Sequence, residues 1–348
     1  MEKLSGAGLL AILLCARCFT ALTSFTYNCL PAAYMAGAAV SAAVQCLLLV
    51  PAVVICKRGS FSPAQSKAAA LCYLLFFMYE SFLDIGNFRY YIKVFFTSGI
   101  SDLTAAFCCV LTAVYLASVY TRDLAKTAEY AAAGILLLLV MIFMGAQSRI
   151  DINNLDLAAA DFGAQTAASA VYELSRCDCL VLLVFLLPQL RSRQGAISFG
   201  YVALKTLLLE GGLMAVTLVL GSFAQVTHIP FFNIAAYSSS GVRERGDAVF
   251  LFVWVFTGVV RLAVLLHCSS KCLSRFVPKL GGVTGAAAAA VIPFTGAMIF
   301  TRLHGWDGMA NSSRSVIPMI LLIAVLPVAG AMFSGKEGHY ATGAVKES

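Results

Sequence analysis

Residues 247–268 read DAVFLFVWVFTGVVRLAVLLHC, an apolar run whose only charge after its first residue is Arg261. A bilayer-spanning helix needs about 20 mostly apolar residues, because every backbone polar group must be satisfied inside the hydrocarbon. This run has that length and that character. Arg261 sits roughly three residues past its centre, too deep to carry its charge comfortably to the interface. The segment therefore predicts both a spanning helix and a polar partner or cavity inside the membrane.

Working outward, the same pattern recurs along the chain. Candidate spans lie at 5–27, 33–56, 68–88, 102–120, 125–147, 162–188, 197–221, 247–268, 281–301 and 315–334, which predicts an all-α membrane protein with ten transmembrane helices in one polytopic domain, 1–335, and a short tail, 336–348. Composition agrees: of 348 residues 60% are hydrophobic and 12% charged, where soluble chains carry about 25% charged residues. A soluble enzyme is excluded. The first span starts with Glu2 and Lys3 as a signal peptide would, but it outruns the usual apolar core and meets no small-x-small cleavage site before Tyr27-Asn28-Cys29, so it is read as helix one.

The formal charge of +7, from 24 Lys and Arg against 17 Asp and Glu, comes without basic clusters or aromatic interleaving and gives no nucleic-acid footprint. It orients the loops instead. The side shared by both termini carries most of the loop Lys and Arg, including Lys57, Arg58, Lys67, Lys271, Arg275 and Lys279. The other side has fewer, set among acidic residues from Asp102 to Asp307. The positive-inside rule then places both termini in the cytoplasm. On the outer side, the Pro-broken connection 222–246 is expected either to fold back over a substrate entrance as a lid or to be an ordinary surface loop.

The 12 Cys lie almost all in or at the ends of spans. Cys15-x-x-Cys18 has redox or zinc spacing but no second His/Cys pair, and reads as apolar packing. The four His are scattered without acidic residues at ligand spacing, and no nucleophilic triad, P-loop or dinucleotide motif is present. No cofactor, no metal and no enzymatic activity are expected.

Charges inside the spans carry the functional expectation, since each costs on the order of 2.5–3.5 kcal/mol to insert. They are Arg17 in the first span, Glu80 and Asp84 in the third, Glu173, Arg176 and Asp178 in the sixth, Glu210 in the seventh and Arg261 in the eighth. Glu80 and Asp84, four positions apart, share a helix face. They suit proton coupling, or a structural pairing with Arg17. Glu173-Leu-Ser-Arg176-Cys-Asp178 crowds three charges near mid-membrane, which suits a discontinuous helix lining a binding site, or an intrahelical Glu173–Arg176 pair. Arg261 suits a fixed charge in place of a coupling sodium ion, or a structural pair with Glu210 or Asp178. Arg17, Thr20, Ser24, Glu80, Glu173 and Arg176 are the candidate substrate-binding residues, and Glu80, Asp84, Asp178 and Arg261 the candidates for ion or proton coupling.

Two motifs suggest a family. Glu244-Arg245-Gly246-Asp247 leads into a span with Trp254 and then Arg261-Leu-Ala-Val-Leu-Leu; Tyr120-Thr-Arg122 to Glu129 precedes a span that exits at Asp151-Ile-Asn-Asn154-Leu155. Together with the ten spans, this resembles the GerAB-type spore germination permeases, the B subunits of nutrient germinant receptors within the amino acid/polyamine/organocation (APC) transporter superfamily. The family's motif positions fall on Glu244, Arg245, Asp247, Trp254 and Arg261. The resemblance implies two inverted five-helix repeats (a LeuT-like fold) with a small nutrient such as an amino acid bound at the midplane between helices one, three, six and eight. It implies a sporulation role in the inner spore membrane, with an A-type membrane subunit and a C-type lipoprotein as partners. The alternative it leaves is a proton-coupled amino-acid permease, a transporter using Glu80 and Asp84 as its relay. Helix one lacks the Gly-rich break common in the superfamily, so either Arg17 and the hydroxyls of Thr20, Thr23 and Ser24 bind a carboxylate in place of free backbone N–H groups, or the ligand is something other than a standard amino acid.

Overall fold

A computed structural model of the chain describes residues 4–23, 31–58, 66–95, 101–147, 150–154, 161–190, 193–225, 227, 229–238, 246–306 and 316–330. The described residues are helical nearly throughout. The helices are α1 (Gly6–Thr23), α2 (Pro31–Lys57), α3 (Lys67–Phe95), α4 (Asp102–Ser118), α5 (Thr121–Ala146), α6 (Phe162–Ser175), α7 (Asp178–Leu186), α8 (Gln194–Leu220), α9 (Pro230–Ser238), α10 (Gly246–Leu273), α11 (Gly282–His304) and α12 (Val316–Gly330). Six of them, α1, α2, α3, α8, α10 and α11, are long and apolar enough to cross a membrane, and shorter apolar helices accompany them. This is an all-α, multi-pass membrane protein in architecture.

With lipid as the solvent, apolar side chains fill the core and the surface alike. Large ones face outward, among them Leu47, Val54, Leu136, Val291 and Ile292. Eight charged side chains, Arg17, Glu80, Asp84, Glu173, Arg176, Asp178, Lys205 and Arg261, are buried among the described residues. α10 is the axis of the bundle, packed against α1, α3, α4, α5 and α11. All of α7 is buried as well.

Close approach of the helices uses glycine where a side chain would collide. A Cβ on Gly37 of α2 would lie 2.7 Å from the Thr166 carbonyl oxygen and 2.8 Å from the Ala170 nitrogen of α6. Near one end of α10, Trp254 donates its indole N–H to Thr23 Oγ1 at 3.0 Å and is ringed by Phe19, Phe88, Tyr91 and Phe95. α12 passes through a π-helical turn over Leu321–Val325, and the Leu322 carbonyl within it accepts the Tyr73 hydroxyl at 2.9 Å.

Two features refine the sequence expectations. α3 continues seven residues past the expected limit at 88, because Arg89 and its neighbours leave the apolar pattern without breaking the helix; Arg89 pairs with Asp102 at 2.7 Å. The connection 222–246 contains α9, whose Phe231, Ile234 and Ala235 are buried against the bundle. It folds back over α5, α8 and α10.

Candidate functional site

The sixth span is not one helix. α6 ends at Ser175 and α7 begins at Asp178. Through the junction the bonds tighten to i→i+3: Arg176 N–H donates to the Glu173 carbonyl and Cys177 N–H to Leu174, each at 3.3 Å, and Leu180 N–H donates to Cys177 at 2.8 Å. Arg176 and Cys177 leave helical geometry, at φ −110°, ψ 19° and φ −87°, ψ 26°. The Ser175 hydroxyl turns back to the Tyr172 carbonyl at 2.7 Å. Three charged residues within six positions are thus split, Glu173 closing one helix and Asp178 opening the next, where its charge also complements the α7 dipole.

On the Glu173 side, the carboxylate accepts from Arg17 Nη2 at 2.7 Å and from the Tyr34 hydroxyl at 2.5 Å. Arg17 Nη1 reaches Thr20 Oγ1 at 3.3 Å, and that hydroxyl donates to the Arg17 carbonyl at 2.8 Å. The Arg176 guanidinium lies over the Tyr172 ring, 4.6 Å from its centroid. Lys205 of α8 is buried as well and donates to Gln45 Oε1 at 2.7 Å, while Gln45 Nε2 donates to Ser41 at 3.0 Å. Glu173 therefore has three cations, Arg17, Lys205 and Arg176, as electrostatic neighbours.

On the Asp178 side the balance is reversed. Arg261 donates from Nε to Asp84 at 2.7 Å, from Nη1 to Asp178 at 2.5 Å and from Nη2 to Glu80 at 2.8 Å. Nη1 also approaches the Ala16 carbonyl at 3.4 Å. One guanidinium thus gathers α1, α3, α7 and α10. Among the described residues no set of three His, Cys, Asp or Glu side chains is arranged to hold a metal; the guanidinium occupies the middle of the carboxylates. Among the described residues, the four buried acids match the four buried bases in number, but across the junction the bases are in excess on one side and the acids on the other.

Several pairings differ from expectation. Arg17 meets Glu173 and not Glu80, which belongs to Arg261. The intrahelical Glu173–Arg176 pair does not form as an ion pair, because Glu173 faces α1 and α2 while Arg176 stacks on Tyr172. Of the two partners considered for Arg261, Asp178 is used and Glu210 is not; Glu210 is half-buried on α8. α1 runs unbroken to Thr23. Ser24, Glu244 and Arg245 lie outside the described residues, whereas Asp247 lies in the first turn of α10. Asn154 of the exit motif donates from its side chain to the Leu218 carbonyl at 3.1 Å and so closes the end of α8.

The sequence reading missed Lys205, Tyr34 and Gln45. Lys205 had a signal, a charge in the middle of the apolar stretch 197–221. Tyr34 and Gln45 had none beyond being polar in an apolar helix. Neither a protein-family model nor a characterised protein matches the chain.

Proposed function

We propose that this protein is a membrane subunit of a nutrient germinant receptor in a spore-forming bacterium. In this reading it is a ten-span bundle of two inverted five-helix repeats, with both termini cytoplasmic, seated in the inner spore membrane. It binds a small nutrient, an amino acid, at the α6–α7 junction, and passes the signal to an A-type subunit and a C-type lipoprotein. It is not an enzyme and takes no cofactor. The observation that carries the reading is the charge arrangement about the junction. A zwitterion meets it in complementary fashion, with its carboxylate toward Arg17 and its ammonium toward the acid-rich side. Discontinuous helices are where transporter-like folds bind solutes, and ligand binding acts by its differential affinity for two states of the bundle.

A second reading, a proton-coupled amino-acid permease, draws on the carboxylates around Arg261. Glu80, Asp84 and Asp178 bring three negative charges to one guanidinium, and two carboxylates this close do not readily both ionise in a low dielectric. A proton exchanged there is what a coupled cycle needs.

The test is dipicolinic acid release from spores lacking the gene, with single amino acids and simple nutrients as triggers. The receptor reading expects response to one nutrient to disappear while other triggers still work, to return with the wild-type gene, and not to return with Arg261→Ala although that variant reaches the membrane. Unchanged release in the deletion strain, with labelled amino-acid uptake reduced, would turn the assignment to the permease.

A further inference from the structure

Beside the Arg17–Glu173 pair, α1, α5, α8 and α9 line a cavity of about 260 Å³. Its wall is aliphatic and aromatic, with Leu22, Leu139, Leu208 and Phe231 among the lining, and among the described residues its charged members are Arg17 and Lys205. Both have unused capacity to donate. Arg17 Nε is buried without a hydrogen-bond partner. Lys205, 6% exposed, bonds the neutral Gln45, and among the described residues no carboxylate lies within ion-pair distance of its ammonium. An apolar chamber is an unusual place for two basic side chains of which one makes no direct ion pair among the described residues, since a buried charge is costly unless paired. Lining residues Leu136 and Leu204 are also exposed on the lipid-facing surface, which gives the chamber a lateral entrance from the bilayer.

We infer that this chamber is a binding site for a free aliphatic carboxylate of about eight carbons, whose hydrocarbon chain fills the cavity and whose carboxylate supplies the counter-charge for Lys205 and Arg17. Size selects a single short chain: at ~30 Å³ per water-sized group, the volume holds roughly nine such groups, too few for a two-chain phospholipid. Charge selects against the zwitterion proposed for the junction. An α-ammonium would stand among cations here, with no acidic side chain in the lining to receive it. The inference shares Arg17 with the nutrient reading but rests on the cavity and on Lys205, which that reading does not use.

The probes are octanoate, octanol, octylamine and 2-aminooctanoate, measured for saturable binding to the purified full-length protein in nanodiscs of phosphatidylcholine. Octanoate is expected to bind at least tenfold more tightly than the other three. Lys205→Gln should weaken octanoate at least tenfold while Lys205→Arg retains it, and Leu208→Trp, which fills the cavity and leaves the charges in place, should abolish it. Because the last two variants keep a cation or keep Lys205 itself, general misfolding would show as failure of Lys205→Arg. Octanol or 2-aminooctanoate binding as tightly as octanoate, or octanoate affinity untouched by both Lys205→Gln and Leu208→Trp, would overturn the inference. Displacement of octanoate by nanodiscs rich in phosphatidylglycerol would overturn the choice of a free carboxylate over a lipid headgroup.

Discussion

Arg17 and Arg261 are both guanidiniums buried among helices, yet they are satisfied in different ways. Arg261 spends all three nitrogens on carboxylates from two other helices, so it acts as a fixed internal cation. Arg17 has one carboxylate, Glu173, and an idle Nε, which leaves it able to meet a further anion. Removing one member of a buried pair strands the other, at about 3–5 kcal/mol. A double-mutant cycle of Arg17→Gln with Glu173→Gln, followed by thermal denaturation in detergent, is therefore expected to give a coupling energy of about 0.5–3 kcal/mol. The cycle of Arg17→Gln with Glu80→Gln should give much less, because Glu80 is held by Arg261. Equal coupling in the two cycles would contradict the pairing described here. The intramembrane charges themselves were legible in the sequence because each violates an apolar run. Their partners were not, since choosing between Glu80 and Glu173 for Arg17 requires the order of helices in space.

The junction between α6 and α7 is the element on which the site depends. Its existence had a sequence correlate in Glu173, Arg176 and Asp178, three charges that a continuous lipid-facing helix would not hold. Its exact form had none, because the tightened turn rests on the Ser175 back-bond and on the separate demands of Arg17 and Arg261 on either side. α6 is held at its other face by the contact with α2, and there Gly37 sits against backbone. Gly37→Leu is expected to lower the thermal midpoint and to disturb the Tyr34–Glu173 contact, because the two helices must move apart; the obstructing atoms are Ser169 Cβ, the Thr166 carbonyl oxygen and the Ala170 nitrogen, all fixed by the α6 backbone and unable to turn away. Gly163→Ala on α6, where a Cβ meets nothing within 4 Å, should leave the midpoint unchanged or raise it slightly, as Gly in a helix costs about 1 kcal/mol relative to Ala. A Gly37→Leu variant as stable as the wild type would mean that this crossing does not position the site. α9 shows a limit of another kind: Pro230 and the aromatic pair after it allowed either a lid or a plain loop, and only packing against α5, α8 and α10 decides for a folded-back helix.

For the whole molecule, composition alone was enough to place the chain in a membrane, because 60% hydrophobic residues in unbroken runs leave no other solvent. What composition could not say is whether the buried charges serve a ligand or only one another. Among the described residues, four buried acids and four buried bases divide unequally across one helix break, and most of them also pair locally, Arg17 with Glu173 and Arg261 with Glu80, Asp84 and Asp178. The central proposal is that this uneven division of charge serves a dipolar ligand. The direct measurement is thermal stabilisation of the purified wild-type protein and of Arg17→Gln by each of the standard amino acids in turn. The account predicts that at least one amino acid raises the wild-type midpoint in a saturable, concentration-dependent manner, and that the same amino acid fails to do so with Arg17→Gln. No stabilisation of the wild type by any of them, or equal stabilisation of both proteins, would contradict it.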